Sequence, residues 1–165
     1  RSSAASDVYK RQILPEDKLL FLDIKSGPEI TKPLIEAVKR SGVKTEQVVV
    51  IAFNTEVVAS VKKAMPKLKV QWLSSIKTDG RGNPKPSPHK ISEVMKKTGA
   101  DGFGGSGNVD FYNSEFVKAC AQLNVGDMAV WTINDASDAK HFSSLGLYSI
   151  TTDFPKKIRD ALEDR

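Results

Sequence analysis

Apolar residues fall in six short runs, and the stretches between them carry apolar positions at helical spacing. The first run is Leu19-Leu20-Phe21-Leu22, continuing through Asp23, Ile24 and Lys25 to Ser26-Gly27. Four apolar neighbours without polar alternation predict a strand buried on both faces. A helix over residues 28–41 follows, opened by Pro28, striped with Ile30, Leu34, Ala37 and Val38, and stopped by Gly42. Residues 47–53 predict a second strand without alternation, as in a parallel sheet. Asn54 is placed to cap a helix over 55–65, which Pro66 ends. A third, weaker strand covers 69–73, a polar Gly- and Pro-bearing loop covers 77–88, and a short helix covers 89–98.

Residues 100–104 predict a fourth strand, followed by a glycine-rich loop, Gly104-Gly105-Ser106-Gly107-Asn108. A helix over 114–123, a fifth strand over 127–133 and a helix over 136–145 come next, the last stopped by Gly146. A sixth strand over 147–151 and a helix over 154–162 complete the pattern. The strand starts lie about 26 residues apart, close to the roughly 30 of a (β/α)8 barrel unit. Strict alternation without a Rossmann glycine fingerprint favours a barrel over an open doubly wound sheet. The expected fold is therefore α/β, an incomplete (β/α)8 TIM barrel of about six βα units. Residues 1–12 show no amphipathic period and are read as a non-native leader. Residues 13–165 are then a partial barrel domain from which the first units are absent.

In that frame the strand ends meet at one mouth, where barrel enzymes keep their chemistry. Asp23 and Lys25, two residues apart, project to one side near the end of the first strand. Asp23 could ligate a hard cation, although a lone carboxylate makes a weak site, and Lys25 could neutralise a phosphate. A satisfied ion pair plugging the mouth is the alternative. Trp131 could lie over an apolar part of a ligand or belong to the core. The glycine run lacks a P-loop pattern and reads first as a turn, and Asn134-Asp135 reads first as a helix cap. His89 opens a helix and His141 lies within one, so neither stands at a strand end.

Composition narrows the function classes. The 165 residues are 39% hydrophobic and 27% charged, with a formal charge of +5, and the lysines are spread without aromatic interleaving, so no nucleic-acid partner is expected. The single cysteine, Cys120, excludes an intrachain disulfide; its helical spacing with Phe116 and Leu123 predicts a buried thiol. No apolar run is long enough to span a membrane.

Residues Phe21-Leu22-Asp23-Ile24-Lys25-Ser26-Gly27-Pro28-Glu29 resemble the Glu-Ile-Lys strand of glycerophosphodiester phosphodiesterases. Residues 48–54, Ala100-Asp101-Gly102, Val130-Trp131-Thr132-Ile133-Asn134-Asp135, and Leu145-Gly146 followed by Ile150-Thr151-Thr152-Asp153-Phe154-Pro155 are similar to later blocks of that family. The blocks match its third to eighth barrel units. The resemblance implies a metal-dependent hydrolysis of a small-molecule glycerophosphodiester to glycerol 3-phosphate and an alcohol. It implies Mg2+ or Ca2+ at Asp23, and Lys25 and Trp131 as substrate-binding residues. Asp stands where the family has Glu, one methylene shorter. No His-Arg-Gly segment occurs, so the catalytic histidine pair that the family supplies is expected to be missing, and this polypeptide to be inactive by itself. Two other readings remain open: a non-catalytic barrel remnant that binds phosphate-bearing ligands, and an aldolase-like Schiff base at Lys25, which the neighbouring carboxylate disfavours.

Overall fold

The computed structural model describes residues 14–163, so the leader expected over 1–12 lies outside the described residues. Two compact units are present: the described residues up to Trp72 together with Thr98–Ala100, and Leu73–Lys97 together with the described residues from Asp101 on.

The first unit begins with β1 (Leu20–Ile24). Pro28, with φ fixed and no N–H to donate, opens a 3-10 turn over Pro28–Ile30 that passes into α1 (Thr31–Ser41). Gly42, at φ 72, ends that helix in the left-handed conformation that glycine adopts without a steric cost. β2 (Val48–Ala52) and α2 (Thr55–Ala64) follow, then the first four residues of β3 (Lys69–Ser74). The strands run parallel, with Asp23 in register with Ile51 and Ile51 with Gln71. Val48, Val49, Val50 and Ala52 of β2 are all buried, as are Val57, Val58 and Val61 of α2, which follows it. β1 departs from the expectation of a doubly buried strand: Leu19, Leu20 and Phe21 remain 42%, 39% and 38% exposed. Among the described residues its ladder runs to β2 alone, so it is an edge strand, and an edge leaves apolar side chains open to water.

The second unit contains an element that the polar loop concealed. Its antiparallel hairpin pairs β4 (Lys77–Thr78) with β5 (Pro84–Lys85). It continues with α3 (Pro88–Thr98), β6 (Gly102–Ser106), α4 (Ser114–Gln122), β7 (Asp127–Trp131), α5 (Ala136–Ser144), β8 (Ser149–Ile150) and α6 (Pro155–Glu163). β6, β7 and β8 are parallel neighbours. Tyr112 anchors the core: its ring lies 5.3 Å from Phe116 and 5.8 Å from Phe142, and its hydroxyl donates to the Ala129 carbonyl at 2.9 Å. Cys120 is buried there, as its helical spacing predicts, and burial pushes its thiol up to about 12.

The fourth strand begins and ends two residues later than expected and takes in Gly104, Gly105 and Ser106, so that part of the glycine run is strand, not loop. Glycine is required there by packing. A Cβ on Gly104 would stand 2.6 Å from Leu73 Cδ2, and one on Gly105 2.7 Å from Ile76 Cδ1 and 2.8 Å from the Tyr112 ring.

Candidate functional site

β1 sets the alternation that brings Asp23 and Lys25 to one side, and the two side chains meet as an ion pair of 2.8 Å. Both are open to water, Lys25 73% and Asp23 40% exposed, so the pair itself contributes little stability. It restrains where the ammonium sits. Lys25 Nζ also lies 5.8 Å from the centre of the Phe53 ring, within cation–π range. Phe53 is positioned in turn by Trp72, whose indole N–H donates to the Phe53 carbonyl at 3.1 Å. Asn54 then caps α2 by accepting from the Glu56 N–H at 2.8 Å, so the chain turns away directly after Phe53. The result is an exposed cation held from two sides at the end of a parallel strand, suited to receive an oxyanion.

Partners in register on parallel strands share a face, so Asp23, Ile51 and Gln71 point to the same side of the first unit's sheet. Gln71 is 1% exposed, and its side-chain Nε2 has no hydrogen-bond partner in the structure. Sequence reasoning passed over Gln71 because its neighbours Val70, Trp72 and Leu73 mark only a buried strand.

For a hard cation the fit is poor. Mg2+ and Ca2+ take six or more oxygen ligands, and Asp23 supplies one carboxylate already engaged by Lys25. The Glu29 carboxylate accepts from the Gly27 N–H at 2.9 Å. Among the described residues no three His, Cys, Asp or Glu side chains converge on a point that could hold a metal ion. These residues alone do not form a divalent-cation site.

Trp131 ends β7 in the second unit, so the structure does not gather it with Asp23 and Lys25 within one unit. Its indole N–H donates to the Gly104 carbonyl at 3.2 Å, which fixes the ring beside the glycine strand. Asp135 is the cap that the sequence suggests, accepting from the Ser137 N–H at 2.8 Å and the Ser137 hydroxyl at 2.6 Å; the hydroxyl first, and then the capping N–H groups, hold its carboxyl below the usual range. Asn134 has a different task. Its Oδ1 accepts from the Thr152 hydroxyl at 3.0 Å and the Asp153 N–H at 2.9 Å, and its Nδ2 donates to the Asp153 carboxylate at 2.8 Å. Lys157 donates to the Asn134 carbonyl at 2.8 Å. This network ties the segment after β7 to the segment after β8, and no local spacing could have announced a partnership across 19 residues. His141 directs Nε2 to the Tyr112 carbonyl at 3.2 Å, and His89 is exposed in the first turn of α3.

Residues 10–157 match the sequence model of the glycerophosphoryl diester phosphodiesterase family, a match that begins inside the stretch expected to be a leader. Among solved structures, a glycerophosphodiester phosphodiesterase from Parabacteroides distasonis is 22% identical, with a TM-score of 0.66 over 89% of this chain and 57% of that one. A Galdieria sulphuraria structure named for the same activity is 20% identical, with a TM-score of 0.73 over 96% of this chain and 62% of the other. An Oleispira antarctica phosphodiesterase in complex with the product sn-glycerol-3-phosphate is 18% identical, with a TM-score of 0.60 over 88% and 56%. The chain thus spans about three-fifths of the length of these structures. No curated protein matches. The likenesses show the fold: α/β, with parallel βα units of an incomplete (β/α)8 barrel. Among the described residues no helix is long and apolar enough to cross a membrane.

Proposed function

The chain belongs to the glycerophosphoryl diester phosphodiesterase family, and from that premise we propose that it is part of an enzyme hydrolysing glycerophosphodiesters to glycerol 3-phosphate and an alcohol. The match over residues 10–157 carries this reading, because it takes in the strand that holds Asp23 and Lys25. The sn-glycerol-3-phosphate bound to the Oleispira antarctica phosphodiesterase is in keeping with a small phosphate-bearing ligand.

In this reaction water attacks phosphorus, the bond from phosphorus to the alcohol oxygen breaks, and the alcohol leaves with a proton. Negative charge on the non-bridging oxygens must be held throughout. Lys25 is the group assigned to it: an ammonium kept in place by Asp23 and Phe53 meets the phosphoryl oxygens without first having to be ordered. Trp131, whose N–H is committed to Gly104, offers its ring rather than a hydrogen bond, and is assigned to an apolar part of the ligand. Mg2+ or Ca2+ at Asp23 belongs to the proposal only with carboxylates additional to the described residues, and no step is derived through it. A base for the water and an acid for the alcohol are also needed. His141 is tied to the Tyr112 carbonyl and His89 is exposed on a helix, so residues 1–165 alone are proposed to be inactive.

Calorimetric titration with sn-glycerol 3-phosphate tests the role of Lys25. Saturable binding is expected, weakened about tenfold in Lys25→Met, the equivalent of roughly 1.4 kcal/mol, and largely kept in Lys25→Arg. Equal affinity of the wild-type chain and Lys25→Met would remove Lys25 from the phosphate site.

A further inference from the structure

Among the described residues of the first unit, Gln47 and Gln71 are both buried, and only Gln47 has its amide satisfied. Gln47 donates through Nε2 to the Pro15 carbonyl at 2.8 Å and the Lys18 carbonyl at 3.0 Å, tying the segment before β1 to the segment before β2. Gln71, 1% exposed in the middle of β3, finds no acceptor for its Nε2 among the described residues. A donor taken out of water without a partner costs free energy, and a valine or leucine there would avoid that cost. Buried side-chain amides in folded proteins are almost always bonded, so this one calls for an acceptor from outside the fold.

The register gives the side from which that acceptor comes. Gln71 stands in one row with Ile51 and Asp23, all on the same side of the first unit's sheet. Asp23 is 40% exposed and Ile51 is half-buried, so the row opens to water away from Gln71. One step nearer the C-terminal ends of the strands, Lys25 and Phe53 hold the cation assigned above to the phosphoryl group. A row made of an amide donor, an apolar side chain and a carboxylate suits an uncharged oxygen. Asp23 would repel an oxyanion, whereas a hydroxyl accepts from an amide N–H and brings no charge to oppose it.

We propose that Gln71 is a specificity-determining residue whose Nε2 donates to a hydroxyl of the ligand's glycerol moiety. In the phosphodiesterase reading, on which this inference rests, Lys25 takes the phosphoryl group and Gln71 reads the part of the ligand one row below it. Ile51, next to Gln71 in the row, offers an apolar surface to the carbon chain of that moiety. Such a site discriminates against a ligand without the hydroxyl, because the buried donor is then left unpaired.

Calorimetric titration of residues 1–165 with two ligands tests this assignment: sn-glycerol 3-phosphate, and n-propyl phosphate, the same carbon chain without hydroxyls. The wild-type chain is expected to prefer sn-glycerol 3-phosphate about tenfold. Gln71→Met, close to glutamine in volume but without the donor, should erase that preference and bind n-propyl phosphate as the wild type does; Gln71→Leu gives the same comparison. Both variants should melt no lower than the wild type, since the unliganded fold loses no hydrogen bond of that amide. A preference kept in the variants overturns the role of Gln71 and leaves the phosphodiesterase reading standing. Equal affinity of the wild-type chain for the two ligands overturns it likewise. Binding of neither ligand counts against the phosphodiesterase reading, and this inference falls with it. Melting well below the wild type in both variants would show that the fold itself satisfies the amide, and would also overturn the assignment.

Discussion

Cys120 and Tyr112 share one buried cluster, and both acquire a charge only by losing a proton there. Burial pushes the Cys120 thiol from its ordinary 9.0 up to about 12. The Tyr112 phenol is raised as well, first by burial and then by the charge Cys120 would carry. A folded-state value above the unfolded one means that the fold favours the protonated thiol. The resulting stability is complete below the unfolded value and disappears as pH rises from about 9 to about 12. Thermal unfolding followed from pH 8 to 11 should show the melting temperature falling above pH 9, at up to roughly 1.4 kcal/mol per pH unit for this group. Cys120→Ala should start lower, because it leaves a cavity, and decline less steeply. Parallel declines would show that Cys120 is not the titrating group.

The elements differ in how openly the sequence announced them. Asn54 and Asp135 were readable as caps, since a short polar side chain before an apolar-periodic run has few other tasks. β2 was readable because valine and isoleucine without alternation have one natural home. Gly105 was misread as loop because glycine leaves no side chain to say whether a turn or a close contact requires it. The β4–β5 hairpin escaped notice because two-residue strands fall below any periodicity window. Of the candidate site, the Asp23–Lys25 pair followed from alternation alone, whereas Phe53 beneath Lys25 and the Asn134 network depend on contacts between segments distant in sequence.

The glycines of the second unit also give an element-level prediction. A Cβ on Gly126 would collide with the Asp101 carbonyl oxygen, a backbone atom that already accepts the Asp127 N–H at 3.0 Å and cannot move without loosening the start of β7. A Cβ on Gly104 meets the end of the Leu73 side chain, which can rotate away. Urea unfolding should therefore show Gly126→Ala losing about 3 kcal/mol and Gly104→Ala about 1 kcal/mol. The opposite order would contradict this account of the strand.

For the whole molecule, family membership and fold agree, while the chain spans about three-fifths of the length of the solved structures it resembles. The described residues hold a cation suited to a phosphoryl group but no convergent metal-ligand cluster. The proposed function therefore separates phosphate recognition, which it assigns to Lys25, from turnover, which needs groups that the described residues do not bring together. Release of sn-glycerol 3-phosphate from a glycerophosphodiester, assayed with Mg2+ or Ca2+ and again with a chelator, tests that separation most directly. Purified residues 1–165 should give no turnover, and a longer chain supplying a histidine pair and further carboxylates should give chelator-sensitive turnover. Chelator-sensitive hydrolysis by residues 1–165 alone would contradict the account.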